Sequence, residues 1–345
     1  MKKMTIISLM IISAMISEPA RSQTQTNDFY DDAETYNLAG ITKIMLDGEI
    51  GNPGTVEITA FPLRSLIIKE AVLSGDSNRF TGAYRYDGYS LYDILNHVVL
   101  KKKNEAEFPP IIDLYVKVEN AKGESVVFSW GEIYYPVHRH EVIIATKVAR
   151  IVPSKTKDLW PLPTDIKIVA GHDLITDRNI SNPLKITVLS ANQSYPVNKG
   201  LSPLFSPEIK VMSDGKLLDQ IDPSRDLGMK LTYETIFYGR GRGIHSTMPF
   251  QGIPLKEVLK KYFKITDKNL KTGYFVVASV DGYRVVFTFS EIFNRNDQAE
   301  LLLIEDKGNH DGGAFRLFPA ADFFSDRAVK GVSEIYLLNS NFSPR

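Results

Sequence analysis

Apolar and polar positions in the second half of the chain fall into short runs with a period of two, as in strands that bury one face. Residues 230–238 set Leu231, Tyr233, Thr235 and Phe237 on one side of such a run, and residues 209–212, 300–305 and 332–338 read as further strands. Two apolar runs, 274–280 and 283–289, are joined by Asp281-Gly282, a dipeptide that supplies the positive φ of a tight hairpin turn. Helical spacing is confined to short stretches. Pro254 stands at a helix start ahead of Leu255, Val258, Leu259 and Tyr262, and Ser290 to Phe293 predicts a single helical turn. Strands in the majority, with short helices among them, predict an α+β class built on a mixed or antiparallel sheet.

The same order of patterns occurs upstream. Residues 115–134 (YVKVENAKGESVVFSWGEIY) lie on residues 274–293 (YFVVASVDGYRVVFTFSEIF) without a gap and with eight of twenty positions identical. Three further blocks pair in the same order: 43–48 with 210–215, Gly88-x-x-Leu91-x-x-x-Leu95 with Gly252-x-x-Leu255-x-x-x-Leu259, and Asp173-x-x-x-Asp177-Arg178 with Asp322-x-x-x-Asp326-Arg327. In chain order the offsets are 167, 164, 159 and 149, the drift that loop deletions between equivalent elements produce. The chain therefore reads as two tandem domains, residues 39–190 and 208–340. They are joined by a linker over 191–207 rich in Ser, Pro, Asn and Gly and followed by a short tail, 341–345.

The N-terminus changes where the protein is expected to work. Lys2 and Lys3 precede an apolar run over residues 5–16, and Ala20-Arg21-Ser22 sets small residues at a cleavage site before Gln23, the order of a secretory signal peptide. A polar, acidic lead-in over 23–38 follows. The expected location is periplasmic or extracellular. Without Lys2, Lys3, Arg21 and Glu18 the chain keeps 38 basic and 40 acidic residues, which gives no reason to expect a nucleic-acid partner, and no later segment is apolar for long enough to insert in a membrane. Cysteine is absent altogether, which excludes disulfides, thiolate nucleophiles and zinc–thiolate sites.

Three stretches of the second copy carry a family likeness: Phe250-Gln-Gly252-Ile-Pro254-Leu255 with Val258-Leu259, Ala278-Ser-Val-Asp281-Gly282-Tyr283, and Gly313-Ala-Phe-Arg316-Leu-Phe-Pro319 leading to Asp326-Arg327-Ala-Val-Lys330. The first copy adds Leu46-Asp-Gly48 followed by Asn52-Pro53-Gly54. Together they resemble the molybdopterin-binding domain of the sulfite oxidase family, over about 300 residues in two copies with a mixed sheet and short helices. The resemblance implies that Arg316, Arg327 and Lys330 match basic residues that contact the cofactor's phosphate and pterin. Arg316 stands one residue nearer Pro319 than usual, and His310 one residue further from Arg316. In the first copy Arg178 is kept, but Ser181 stands where Lys330 would. The family holds its metal through a cysteine thiolate, since a soft metal takes a sulfur ligand. The matching stretches, 237–245 and 71–84, contain none.

Gly239-Arg240-Gly241-Arg242-Gly243 with His245 could converge backbone N–H groups and guanidinium forks on an anion, or be a solvated hairpin tip. His138 and His140 with Glu141 could face a metal if extended, although no third ligand stands at a convincing spacing, so no metal site is expected. The run Tyr84, Tyr86, Tyr89 and Tyr92 suits either core packing or stacking on a ligand. No Gly-x-Ser-x-Gly turn supports a serine nucleophile. The expectation is an exported binding or interaction protein that takes a small anionic ligand or a protein partner. Arg240, Arg242, His245, Arg316, Arg327 and Lys330 are its candidate binding residues, placing ligand chemistry in the second copy and a structural or partner-binding role in the first. The alternative is an oxidoreductase whose molybdopterin is held without a protein thiolate; no catalytic residue is assigned.

Overall fold

The computed structural model describes residues 34–340 apart from 154, 192 and 307–310; the segment expected to be a signal peptide, most of the lead-in, the tail and His310 lie outside the described residues. Four main sheets carry the chain. In the first half, Gly54–Glu57, Lys43–Gly48, Pro183–Ser190, Leu114–Asn120 and Ser125–Ser129 lie side by side in that order. In the second, Lys216–Ile221, Ile209–Ser213, Val332–Asn339, Gly273–Ser279 and Arg284–Thr288 repeat it strand for strand. Each sheet begins and ends with an antiparallel pair and has one parallel pair inside, where Leu46 registers with Ile186 and Val211 with Ile335.

The other two sheets also match. Leu63–Ser74, Ser77–Ser90, Val142–Arg150 and Lys167–Ala170 pair successively, with Tyr36–Asn37 added on Val142–Arg150. Leu231–Tyr233, Phe250–Pro254, Leu301–Glu305 and Phe315–Pro319 follow the same antiparallel succession. The lead-in thus contributes a strand before residue 39. Burial explains the unbroken apolar runs: all seven residues of Gly273–Ser279 and all five of Arg284–Thr288 are buried, so both faces of this hairpin are covered and alternation disappears. At the turn Gly282 has φ +84°, and a Cβ there would come within 2.4 Å of the Pro196 carbonyl oxygen, so the approach of 191–207 admits only glycine.

The expected α+β class does not hold. The protein is mostly β, with 46% strand and 12% helix, in a four-blade, propeller-like arrangement, although two of the sheets, those holding Lys43–Gly48 and Ile209–Ser213, keep a parallel pair that a meander blade lacks. The helical spacing behind Pro254 yields only the turn Leu255–Leu259, and Leu91–Leu95 is equally short. The run over 230–238 divides into Leu231–Tyr233 and Phe237–Gly239, which belong to different sheets. The halves do not have separate cores. One buried apolar cluster extends from Leu38 to Leu337 through both. Among the described residues no helix is long and apolar enough to cross a membrane.

Residues matched by the sequence offsets meet reciprocally where the halves join. Tyr115 and Tyr274 stack on each other, ring centroids 4.6 Å apart. The Leu174 N–H donates to the Asn294 carbonyl and the Phe323 N–H to the Tyr135 carbonyl, both at 2.8 Å. Asn296 N–H donates to the His172 carbonyl at 2.9 Å, and Val137 N–H to the Ala321 carbonyl at 3.1 Å. A local two-fold relation therefore governs the seam.

Candidate ligand-binding site

Two buried arginines fasten this seam. The short helices Trp130–Tyr134 and Phe289–Phe293 each begin with a capping box, Ser129 with Glu132 and Thr288 with Glu291, which fixes both glutamates beneath the interface. Arg178 is fully buried; its guanidinium donates to Asp173 at 2.6 and 2.8 Å, to Glu132 at 2.5 Å and across the seam to Thr288 Oγ1 at 3.4 Å. Arg327 does the same in the other direction, donating to Asp322 at 2.6 and 2.7 Å, to Glu291 at 2.6 Å and to Ser129 Oγ at 3.2 Å. Burial alone would raise the Glu132 carboxyl, but Arg178 and His172 outweigh it and hold that group well below the usual carboxylate range. His172 Nε2 lies 2.6 Å from Glu132, and although burial opposes its charge, that hydrogen bond and carboxylate raise its pKa.

Glu132, His172 and Asp173 offer ligand atoms within 4.8 Å of one another. The guanidinium of Arg178 already bonds both carboxylates, so the positive charge this cluster needs is supplied by the chain itself. His138 and His140 form no such group: His140 has φ +67° and sets Nδ1 3.0 Å from Ser90 Oγ. His138 lines a separate cleft of about 460 Å³ on the seam, with Glu141, His172, Arg295 and Asp297.

The six sequence candidates are dispersed. Arg327 is 1% exposed and consumed by its carboxylates, Arg316 pairs with Asp306 at 2.7 Å, and Arg240 pairs with Asp326 at 3.3 Å. Arg242 and Lys330 are exposed. The Gly-Arg segment is the tip between Phe237–Gly239 and Gly243–Ser246; His245 leans on the Phe237 ring, 5.5 Å between centroids, and blocks the face of Gly239, where a Cβ would lie 2.2 Å from its Nε2. These residues do not fit a pterin cofactor: Arg327, one of the three basic residues matched to the phosphate and pterin contacts, is buried and turned onto Asp322, Glu291 and Ser129, and the sequence has no thiolate for the metal.

A different group converges. Trp130 and Tyr134, one helical turn apart, stack at 4.5 Å with planes 17° apart, and Tyr134 leans on Tyr92 at 5.1 Å. Ser90 caps the helix that carries Tyr92, and Arg139 lies over the Tyr92 ring and donates to its hydroxyl at 2.7 Å. From the second half come Phe323 and Phe324, edge to face at 4.8 Å, and Arg240 from the hairpin tip. Together these bound a cleft of about 510 Å³, within the usual range for small-molecule sites. Its lining includes two arginines and no acidic residue. Among the described residues Arg139 has no carboxylate partner.

Two donors in this wall have no acceptor. Trp130 and Tyr135 are 4% and 3% exposed, and the indole N–H and the phenol hydroxyl are buried without a hydrogen-bond partner. Burial pushes the Tyr135 hydroxyl up to about 12, so it keeps its proton at neutral pH. An orphaned buried donor costs on the order of 1–3 kcal/mol. Of the tyrosine run that suits either core packing or stacking on a ligand, Tyr84 and Tyr86 are core, whereas Tyr92 faces the cleft. Of the six candidates only Arg240 lines it, and most of the lining belongs to the first half. No family model matches the chain, and no curated protein shows significant similarity to it.

Proposed function

We propose that this is an exported binding protein, without redox chemistry of its own, whose ligand seats in the aromatic cleft where the halves meet. The observation that carries the reading is the convergence of Tyr92, Trp130, Tyr134, Phe323 and Phe324 with Arg139 and Arg240 around one volume that contains no acidic side chain. Rings supply apolar contact at low entropic cost, and the arginines orient whatever polar group the ligand bears. The signal-like N-terminus supports export, and the engagement of Arg327 with its carboxylates supports binding over cofactor chemistry.

The test uses the mature protein and the fluorescent anion 1-anilinonaphthalene-8-sulfonate. Saturable one-to-one binding to native protein is expected, together with its loss in Asn96→Trp, which fills the cleft from an exposed rim position, at an unchanged unfolding midpoint. Equal binding by Asn96→Trp and the natural protein refutes the cleft as the site. Protein from a host that makes molybdopterin is expected to contain neither molybdenum nor a fluorescent pterin; finding both would overturn the binding-only reading.

A further inference from the structure

Resting on that reading of the cleft, we propose that its ligand is a planar aromatic carboxylic acid of one or two rings. Three features of the same volume select that class. The first is shape. One wall is the nearly parallel Trp130–Tyr134 stack, continued by Tyr92, and facing residues from the second half are Phe323 and Phe324, so the surfaces on offer are ring faces and edges. A flat π system gains stacking contact there that a flexible aliphatic chain cannot, since aromatic pairs add about 0.5–1.5 kcal/mol beyond burial.

The second feature is charge. Arg139 is exposed and anchored by one nitrogen on the Tyr92 hydroxyl and by its position over that ring, which holds the guanidinium fork at the cleft mouth. A carboxylate is the planar two-oxygen group that such a fork accepts in a bidentate manner. Arg240 brings a second guanidinium to the lining, where it pairs with Asp326 at 3.3 Å, so the charge argument rests on Arg139. The third feature is the pair of orphaned donors, the Trp130 indole N–H and the Tyr135 hydroxyl, in the wall of the same cleft. An acid seated among the rings brings acceptor oxygens, and a small settling of the wall gives one of these donors the partner it lacks.

The experiment displaces 1-anilinonaphthalene-8-sulfonate from the mature protein with 1-naphthoate, 1-naphthamide or octanoate and repeats the series in Arg139→Gln and Arg139→Lys. Naphthoate is expected to bind at least tenfold more tightly than either comparison compound, with the preference over naphthamide lost in Arg139→Gln and partly kept in Arg139→Lys. Unfolding midpoints should match throughout. Equal displacement by naphthamide overturns the carboxylate, and equal displacement by octanoate overturns planarity, in both cases with the cleft still the site. If none of the three displaces the dye, and Asn96→Trp binds it as the natural protein does, the cleft reading itself falls.

Discussion

Replacing Arg178 with methionine tests the claim that the buried ion clusters hold the halves together. The substitution keeps the aliphatic stem and the volume but removes every donor that reaches Asp173, Glu132, the Val127 carbonyl and Thr288. Two buried carboxylates then face each other with His172 beside them and Arg295 acting on Glu132 from further off. Breaking a buried pair by removing one partner costs about 3–5 kcal/mol, because the charge left behind has no solvation. Domains have about 5–15 kcal/mol in all, so this loss removes a large share of the stability. Urea unfolding followed by tryptophan fluorescence is the assay. With a slope near 3 kcal/mol/M, the midpoint should fall by roughly 1–1.7 M at pH 8. At pH 5.5 the fall should be smaller, since protonated His172 then offsets part of the exposed charge. Arg327→Met should cost a similar amount with less relief in acid, because Ala321 occupies the place of His172. A loss below about 1 kcal/mol for Arg178→Met at pH 8 would refute the reasoning.

Two further outcomes follow from the same seam. The folded-state pKa of His172 is raised above its ordinary 6.5, so the stability that protonation contributes is complete below the unfolded value and disappears as pH rises through the folded one. Urea midpoints measured between pH 5.5 and 8.5 should therefore decline across that window, and His172→Ala should flatten the decline; an unchanged slope would show that another group titrates. Gly131→Ala places a Cβ 2.3 Å from Arg327 Cδ and 2.4 Å from its Nε, so the guanidinium must leave Asp322. Overpacking at this point should cost about 1–3 kcal/mol in the same assay, and a neutral result would mean that Arg327 has room to move.

Parts of this arrangement could be read from residues alone. Periodicity located Ile209–Ser213, the hairpin of Gly273–Ser279 with Arg284–Thr288, Leu301–Glu305 and Val332–Asn339. The collinear blocks set Tyr115 and Tyr274 at equivalent positions, and in the structure the two rings stack on each other. The blocks that ended in Arg178 and Arg327 were visible, but their role was not. A basic residue beside an aspartate looks the same in a linear chain whether it meets a phosphate or a glutamate 36 residues away, as Arg327 meets Glu291. Fold class was misjudged for a related reason. Spacing at Leu255, Val258 and Leu259 has a helical period, yet it persists for only one turn before tertiary packing takes over. The cleft was illegible because Trp130, Arg139, Arg240 and Phe323 are far apart in sequence and each, taken singly, has an ordinary structural explanation.

The local two-fold relation makes the open cleft more informative than an isolated pocket. A repeated seam should produce the same junction twice, and the second junction can be inspected. There Asn294, the counterpart of Tyr135, donates its amide to the Ile175 carbonyl and accepts from the Ile175 N–H, each at 2.7 Å, so the segment equivalent to Phe323-Phe324 is latched shut. On the other side a tyrosine cannot form that two-way latch. The Tyr135 ring instead meets Phe324 edge to face at 6.3 Å, its hydroxyl is left without a partner, and Trp130 takes the place of Phe289 with an indole N–H also unpaired. Sealing was available to this chain, since its own other half does it with one asparagine. Where the other half has a satisfied polar contact, this junction has two buried donors without partners among its rings, which costs stability. A wall kept in that condition, beside Arg139 with no carboxylate among the described residues on its guanidinium, is the arrangement expected where a bound aromatic anion completes the contacts.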